Sequence, residues 1–255
     1  MKYRWIISDI DGCLSPEGSC GWDWRNFKKL IEFFSERKMM DFPYPVPLIL
    51  CTGRPQPYVE VWAKILDLGT PLICENGAVI YYLSTNLSKF GPGVTSEKIE
   101  GLRKIRRYIE QEILPKYPEL VYQFGKEAQL SLFSEKPEIF EYVKKEIYEY
   151  SVNIGGPKLI IQPSHYYLNI SLAGVDKGKA INCVYNELGT SKEECLGIGD
   201  TVGDMPIREN VAFFACPVNA QEQIKSMADY VSPYPDMLGV LDILQREEFL
   251  QVWNK

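Results

Sequence analysis

Histidine is nearly absent: His165 is the only one in 255 residues. A histidine-rich metal site is thereby excluded, and so is a catalytic histidine anywhere else in the chain. No Cys-x-x-Cys pair occurs. The seven cysteines are odd in number and read as reduced, mostly buried thiols. There is no long basic run, and the formal net charge is −6. Sequence-independent nucleic-acid binding rests on clustered Lys and Arg, so that class is set aside. An anionic small substrate is not excluded, because local charges and backbone N–H groups decide its binding. No apolar stretch is long enough to span a membrane. The few apolar residues between Arg4 and Asp9 are too short for a signal peptide. The expectation is a cytoplasmic protein with no membrane partner. On that expectation Asn86-Leu87-Ser88 and Asn169-Ile170-Ser171 match the glycosylation pattern by chance. Repeats, heptads and low-complexity tracts are also missing.

What is present is an ordinary globular composition, 45% apolar and 24% charged, enough for one large domain or two small ones. The first stretch alternates strand and helix. Arg4 to Ile10 reads as a buried strand, and Val46 to Cys51 as a second. Phe27, Leu30, Ile31 and Phe34 recur with helical spacing, as do Tyr58, Val61, Trp62 and Ile65, with Gly69 as a stop. Leu72-Ile73-Cys74 enters a hairpin-type turn at Glu75-Asn76-Gly77 and continues as Ala78 to Tyr82.

The middle of the chain changes character. A charged helix over Thr95 to Leu114 turns Leu102, Ile105, Ile109 and Ile113 inward. Two strands, Leu120 to Phe124 and Gln129 to Phe133, follow. A helix from Pro137 carries Phe140, Val143 and Ile147, and two more strands cover Lys158 to Gln162 and Tyr166 to Ala173. This is an α+β module with an antiparallel sheet, introduced by Phe90-Gly91-Pro92-Gly93. The βα rhythm then returns. Ile181, Val184, Tyr185 and Leu188 form a stripe, Cys195 to Gly199 and Val211 to Cys216 are strands, and Met237, Val240, Leu241 and Leu244 mark a last helix. The expected architecture is α/β: a Rossmann-like parallel-sheet core from residues 1–82 and 173–255, with an α+β domain inserted over 83–172.

Four aspartates carry the chemistry. Asp9 and Asp11 end the first strand, and Asp200 and Asp204 follow the Cys195–Gly199 strand. In an open α/β sheet, ligands bind beyond the carboxyl ends of the strands. Thr52-Gly53-Arg54 and Lys177, at the start of its helix, belong to the same edge. Asp9 and Asp11 are two apart, so continued strand geometry would face them the same way. Grouped carboxylates suit Mg²⁺, which takes one or two of them together with waters and substrate phosphate. Four exceed that need, so some have other work. Asp and Gly also serve as helix caps and turn formers, the ordinary use of each residue taken singly.

Asp9-Ile10-Asp11-Gly12, Thr52-Gly53-Arg54, Lys177-Gly178 with Ala180, and Gly199-Asp200 through Asp204 resemble, in order, the four motifs of the haloacid dehalogenase-like (HAD) phosphohydrolases. A module inserted between the second and third motifs resembles the type-II cap branch, which holds Cof-like sugar phosphatases, sucrose-phosphate phosphatases and mannosyl-3-phosphoglycerate phosphatases. The resemblance implies a Mg²⁺-dependent phosphatase acting on a sugar phosphate or similar small phosphorylated metabolite. It implies that Asp9 is the nucleophile, forming an aspartyl-phosphate, and that Asp11 protonates the leaving oxygen and then activates water. It makes Thr52, Gly53 and Lys177 the phosphoryl contacts. Arg54 either joins them or pairs with an acid at the helix entrance. Asp9, the Asp11 main-chain carbonyl and Asp200 would touch the metal, and Asp204 would ligate it or orient its waters. Cys13 stands where many relatives have Thr, at a position that mostly packs. Substrate contacts would come from Glu75, Asn76, Tyr122, Gln123, Lys126, Asn169, and also Gln129 and His165.

Other readings are a sugar phosphomutase using the same aspartates and a regulatory binding module that has lost catalysis. The second is disfavoured because no required group is missing. Gly197-Ile198-Gly199 with Gly203 has GxGxxxG spacing rather than the dinucleotide-binding GxGxxG, and no Walker loop precedes Lys177. Oligomeric state is not legible.

Overall fold

The protein was analysed as a computed structural model that describes residues 3–17, 21–39, 44–164 and 166–253. His165 lies outside the described residues. In chain order the strands and helices begin β1 (Trp5–Ser8), α1 (Trp24–Glu36), β2 (Leu48–Leu50), α2 (Gln56–Leu66), β3 (Leu72–Cys74), β4 (Val79–Tyr82) and β5 (Leu87–Phe90). There follow α3 (Ser96–Tyr108), α4 (Leu114–Lys116), β6 (Val121–Gln123), β7 (Gln129–Phe133), α5 (Phe140–Asn153), β8 (Leu159–Ser164) and β9 (Tyr167–Leu172). The chain ends with α6 (Lys177–Leu188), β10 (Cys195–Ile198), α7 (Met205–Glu209), β11 (Phe213–Cys216), α8 (Glu222–Lys225), β12 (Tyr230–Val231), α9 (Asp236–Leu244) and α10 (Glu247–Leu250). Two compact units form: residues 1–89 with 176–255, and residues 90–175.

The first unit is built on a parallel sheet in the order β12-β11-β10-β1-β2. A parallel bridge from Cys51 to Ile73 leads on to a second sheet, β3-β4-β5, whose first pair is antiparallel. Strand alternation sorts the core into two layers. Ile6, Leu48, Leu50, Leu196 and Ile198 pack with Phe27, Leu30, Trp62, Val240 and Leu241. Ile7, Ile49, Cys51, Cys195 and Phe214 pack with Ile181, Val184, Tyr185 and Ile207. Both faces are therefore covered, as a parallel sheet requires.

Local chemistry explains the helices. Asp23 caps α1, its carboxylate accepting from the N–H groups of Arg25 at 2.9 Å and Asn26 at 3.3 Å. Helix α2 differs from expectation. Its buried face is Val59, Trp62, Ala63 and Leu66, while Val61 is 52% exposed. Residues 58, 61, 62, 65 and residues 59, 62, 63, 66 share one spacing, and both sets contain Trp62. Periodicity alone does not choose between them; the small Ala63 lets the helix lie close to the sheet. The stop is Asp67, in the left-handed conformation at φ 54° and paired with Lys38 at 2.6 Å, two residues before Gly69.

In the inserted unit the helix expected over Thr95 to Leu114 is capped by Thr95, and passes through a π-helical segment at Ile109–Ile113 into α4. Leu102, Ile105, Ile109 and Ile113 are all buried. The sheet runs β6-β7-β9-β8, antiparallel throughout. Register sorts its faces. Tyr122, Leu132 and Leu168 lie in one cross-strand row, and Arg106 of α3 stands over the Tyr122 ring at 5.0 Å. The neighbouring row is polar: Gln123, Ser131, Asn169 and Gln162.

Candidate active site

Strands β1 and β10 are parallel neighbours, with Ser8 opposite Ile198. Asp9 and Gly199 therefore leave the sheet side by side. The ladder holds Asp9 one residue further, its N–H donating to Ile198 O at 3.0 Å. The chain then turns. Cys13 and Ser15 donate their N–H groups to Ile10 O, and Gly12 takes φ +73°. Extended geometry stops there, so strand alternation no longer decides which way Asp11 faces; its charge still reaches Asp9 and raises it. Asp9 is buried against Lys177, whereas Asp11 is partly exposed and pairs with Arg54. Gly12 is obligatory on two counts: its φ, and the carboxylate of Asp200, which a Cβ would overlap.

After β10 the chain folds back so that Asp204 Oδ2 accepts from the N–H of Asp200 at 3.0 Å and of Thr201 at 3.1 Å. Asp204 Oδ1 accepts from Lys177 Nζ at 2.6 Å, and the same ammonium lies 3.3 Å from Asp9 Oδ1. Lys177 opens α6, which Asp176 caps by accepting from Lys179 N at 2.9 Å. One carboxylate oxygen from each of Asp9, Asp200 and Asp204 lies within 4.8 Å of the others, and all three residues are buried.

Three buried carboxylates facing one ammonium leave an excess of negative charge. Burial above all, then the Asp204 carboxylate, pushes Asp9 up to about 7, against the pull of Lys177. Burial, Asp204 and Asp9 push Asp200 up to about 9. Burial disfavours the Lys177 ammonium, yet Asp204 and Asp9 outweigh it and hold the amine well above its ordinary value. Burial and the neighbouring acids also raise the Cys13 thiol, which sits 3.8 Å from Asp200 and stays protonated. Hard oxygen donors, closely spaced, buried and short of positive charge, fit a divalent cation such as Mg²⁺.

The second segment backs this edge. Thr52 is buried; its N–H donates to Ile73 O at 3.0 Å, and its Oγ1 accepts from Arg54 N at 3.2 Å. Glu75 and Asn76 brace it, donating their N–H groups to Arg54 O and Thr52 O, both at 3.0 Å. Both adopt left-handed φ, 50° and 56°, which is strained for residues other than glycine. The Asn76 carboxamide packs against Gly53, where an added Cβ would come 3.1 Å from Asn76 Oδ1.

Two residues passed over in the sequence complete the edge. Asn219 donates from Nδ2 to Gly12 O at 2.9 Å and accepts from Asp236 N at 2.7 Å. Gln221 donates its N–H to Asp200 O at 2.8 Å and accepts from Val202 N at 3.0 Å. The signal for them was position: both follow β11, whose carboxyl end lies at the same edge. In the inserted unit, Tyr122 packs on the apolar side of the sheet. Gln123 and Asn169 share the polar row, where Ser131 Oγ donates to Asn169 Oδ1 at 2.8 Å and accepts from Lys126 Nζ at 3.0 Å. Gln129 joins them through Lys126 and Ser171.

With this geometry in place, the chain is assigned by comparison. It matches the haloacid dehalogenase-like hydrolases over residues 6–90 and 97–244, and it belongs to that family. It is a HAD-like phosphatase of the type-II cap branch. Among similar proteins is a phosphoglycolate phosphatase of Archaeoglobus fulgidus, 28% identical over 208 residues, spanning 78% of this chain and 82% of the relative. A Thermoplasma acidophilum crystal structure superposes with a TM-score of 0.71 at 21% identity, covering 98% and 100% of the two chains. The Synechocystis sucrose-phosphatase, solved with sucrose and phosphate, gives a TM-score of 0.61 at 19% identity over 96% and 97%. Among the described residues no helix is long and apolar enough to cross a membrane.

Proposed function

We propose that this protein is a Mg²⁺-dependent phosphomonoester hydrolase for a small phosphorylated metabolite, working through an aspartyl-phosphate on Asp9. The carrying observation is the convergence of Asp9, Asp200 and Asp204 within 4.8 Å beside the buried Lys177. Asp9 and Asp200 would hold the cation, which supplies charge neutralisation for the phosphoryl oxygens. Asp204, with both oxygens engaged, anchors Lys177 and the loop after β10.

In the first step an Asp9 carboxylate oxygen attacks phosphorus, the ester P–O bond breaks, and the leaving oxygen takes a proton from Asp11. In the second, water attacks phosphorus, its proton passes to Asp11, and the bond to Asp9 breaks, releasing inorganic phosphate. Lys177 holds its charge beside Asp9 throughout, and Thr52 with the Gly53 N–H receives phosphoryl oxygens. Phosphoglycolate is the first substrate to try, with sugar phosphates next, because relatives are named for these activities.

The test is phosphate release from a panel of phosphorylated metabolites with Mg²⁺, with EDTA, and with Asp9→Asn. Turnover should require Mg²⁺ and fall at least 10³-fold in the variant, the scale on which loss of a nucleophile is felt. Wild-type rates from Asp9→Asn, or full activity in EDTA, would refute the mechanism.

A further inference from the structure

The segment that follows β11 ties together the two loops that carry the acids. Asn219 Nδ2 donates to Gly12 O at 2.9 Å, in the turn that holds Asp11 and Cys13. Two residues on, the Gln221 N–H donates to Asp200 O at 2.8 Å, and Gln221 Oε1 accepts from Val202 N at 3.0 Å. The loop after β10 is thus gripped on both sides of Thr201. The segment is itself fixed. Ala220, 3% exposed, packs in the core layer of Ile7, Phe214 and Ile224. Gln221 O accepts from the N–H groups of Ile224 at 2.8 Å and Lys225 at 3.0 Å, and Asn219 Oδ1 accepts from Asp236 N at 2.7 Å, where α9 begins.

Gly12 passes this constraint to the site. Its peptide groups are held on both sides, the N–H by Ser15 O at 2.7 Å and the carbonyl by Asn219. The Asp200 carboxylate rests directly on it: a Cβ built on Gly12 would lie 2.0 Å from Asp200 Oδ2. Where Gly12 sits therefore limits where the Asp200 carboxylate can sit, and with it the gap to Asp9. We propose that Asn219 is a positioning residue for the divalent cation, and that with Gln221 it holds Asp9 and Asp200 at a spacing that favours an ion of Mg²⁺ size over a larger one. The proposal rests on the reading of Asp9 and Asp200 as the metal pair. Mg²⁺ demands near-ideal geometry, with oxygens at about 2.0–2.1 Å, whereas Ca²⁺ accepts about 2.3–2.6 Å in looser arrangements. Ligands clipped to a packed segment suit the demanding ion. Freeing one side of the gap costs that ion most.

The experiment titrates the metal-free protein with Mg²⁺ and with Ca²⁺ by calorimetry at pH 7, in wild type, Asn219→Ala and Gln221→Met, with the thermal midpoint of each in EDTA alongside. Asn219→Ala should weaken Mg²⁺ binding about 10-fold, the low end of the range for groups that orient a metal's ligands, as suits an exposed side chain. Ca²⁺ binding should weaken by no more than about 3-fold, because its shell adapts. Gln221→Met should shift the ratio of the two constants in the same direction. A merely structural role would lower the midpoint in EDTA and leave both dissociation constants alone. Unchanged Mg²⁺ affinity in Asn219→Ala, or equal losses for the two ions, overturns the proposal while the metal pair stands. Should Asn219→Ala fail to fold, Gln221→Met decides, and an unchanged ratio there overturns it. A wild type that binds neither ion at millimolar concentration overturns the metal-pair reading and this proposal with it.

Discussion

Raising the pH should loosen the metal-free protein, and two side chains set the size of the effect. Asp9 and Asp200 ionise near 3.8 in the unfolded chain, but at about 7 and about 9 in the fold, because of burial first and then the charge of Asp204. Both folded values lie above the unfolded ones, so between those limits the folded state binds more protons. Stability then falls as pH rises, beginning above pH 4 and ending as each folded group ionises. Asp200 alone keeps its extra proton from pH 5 to 7, a loss of about 3 kcal/mol at ~1.4 kcal/mol per pH unit. In a protein of this size that is on the order of 5–10 °C in the unfolding midpoint. A divalent cation supplies the positive charge the protons supply, so its binding should release them and strengthen with pH. The assay is thermal unfolding from pH 5 to 7, in EDTA and in saturating Mg²⁺, of wild type and Asp200→Asn. In EDTA the wild-type midpoint should drop relative to the variant by that amount, and the gain from Mg²⁺ should grow with pH. Parallel curves for the two proteins in EDTA, or a Mg²⁺ gain that is flat across the range, would refute the reasoning.

Lys177→Met should leave Asp9 and Asp204 buried without their ammonium. Breaking a buried pair in this way costs about 3–5 kcal/mol, read by urea denaturation, and turnover should vanish with it. A variant as stable as wild type would show that the carboxylates do not depend on the lysine. Gly12→Ala puts a Cβ on the Asp200 carboxylate at a backbone position of φ +73°. The strain alone costs about 1–3 kcal/mol, and the thermal gain from Mg²⁺ should disappear; a preserved gain would mean that Asp200 need not touch Gly12.

Most of the core architecture was legible because parallel strands buried on both faces read as short apolar runs ending in acid and glycine. Residues Gln129–Phe133 were assigned as a strand to the residue, and Phe140, Val143 and Ile147 form the buried stripe of α5. What failed was rotational phase. Helix α2 presents two overlapping apolar stripes that share Trp62, and only the packed sheet decides which is buried. Short elements were also missed: β5, with all four residues exposed, and the two-residue β12 have too few buried side chains to write a pattern. In the inserted unit, parity along β6 and β7 was readable in principle. Tyr122 and Gln123 are adjacent, so they point to opposite faces, and only Gln123 shares a row with Asn169.

The site illustrates the same limit. Sequence order puts Asp9 and Asp200 at opposite ends of the chain, and strand-end logic brings them to one edge only once β1 and β10 are neighbours in register. Division of labour among the acids is then a matter of which oxygens are already engaged. Asp204 has Oδ1 on Lys177 and Oδ2 on two backbone N–H groups, and at 0% exposure it has no room to move. Asp11 has both oxygens on Arg54. Asp9 and Asp200 keep oxygens that face each other across the gap, and burial makes each costly to ionise without a cation. Four carboxylates that look alike in the sequence therefore separate into a proposed metal-binding pair, an anchor for the lysine, and an acid tethered by arginine. The separation follows from the turn after Asp9 and the fold-back after Gly199, two backbone reversals that place side chains of one chemistry in four different surroundings.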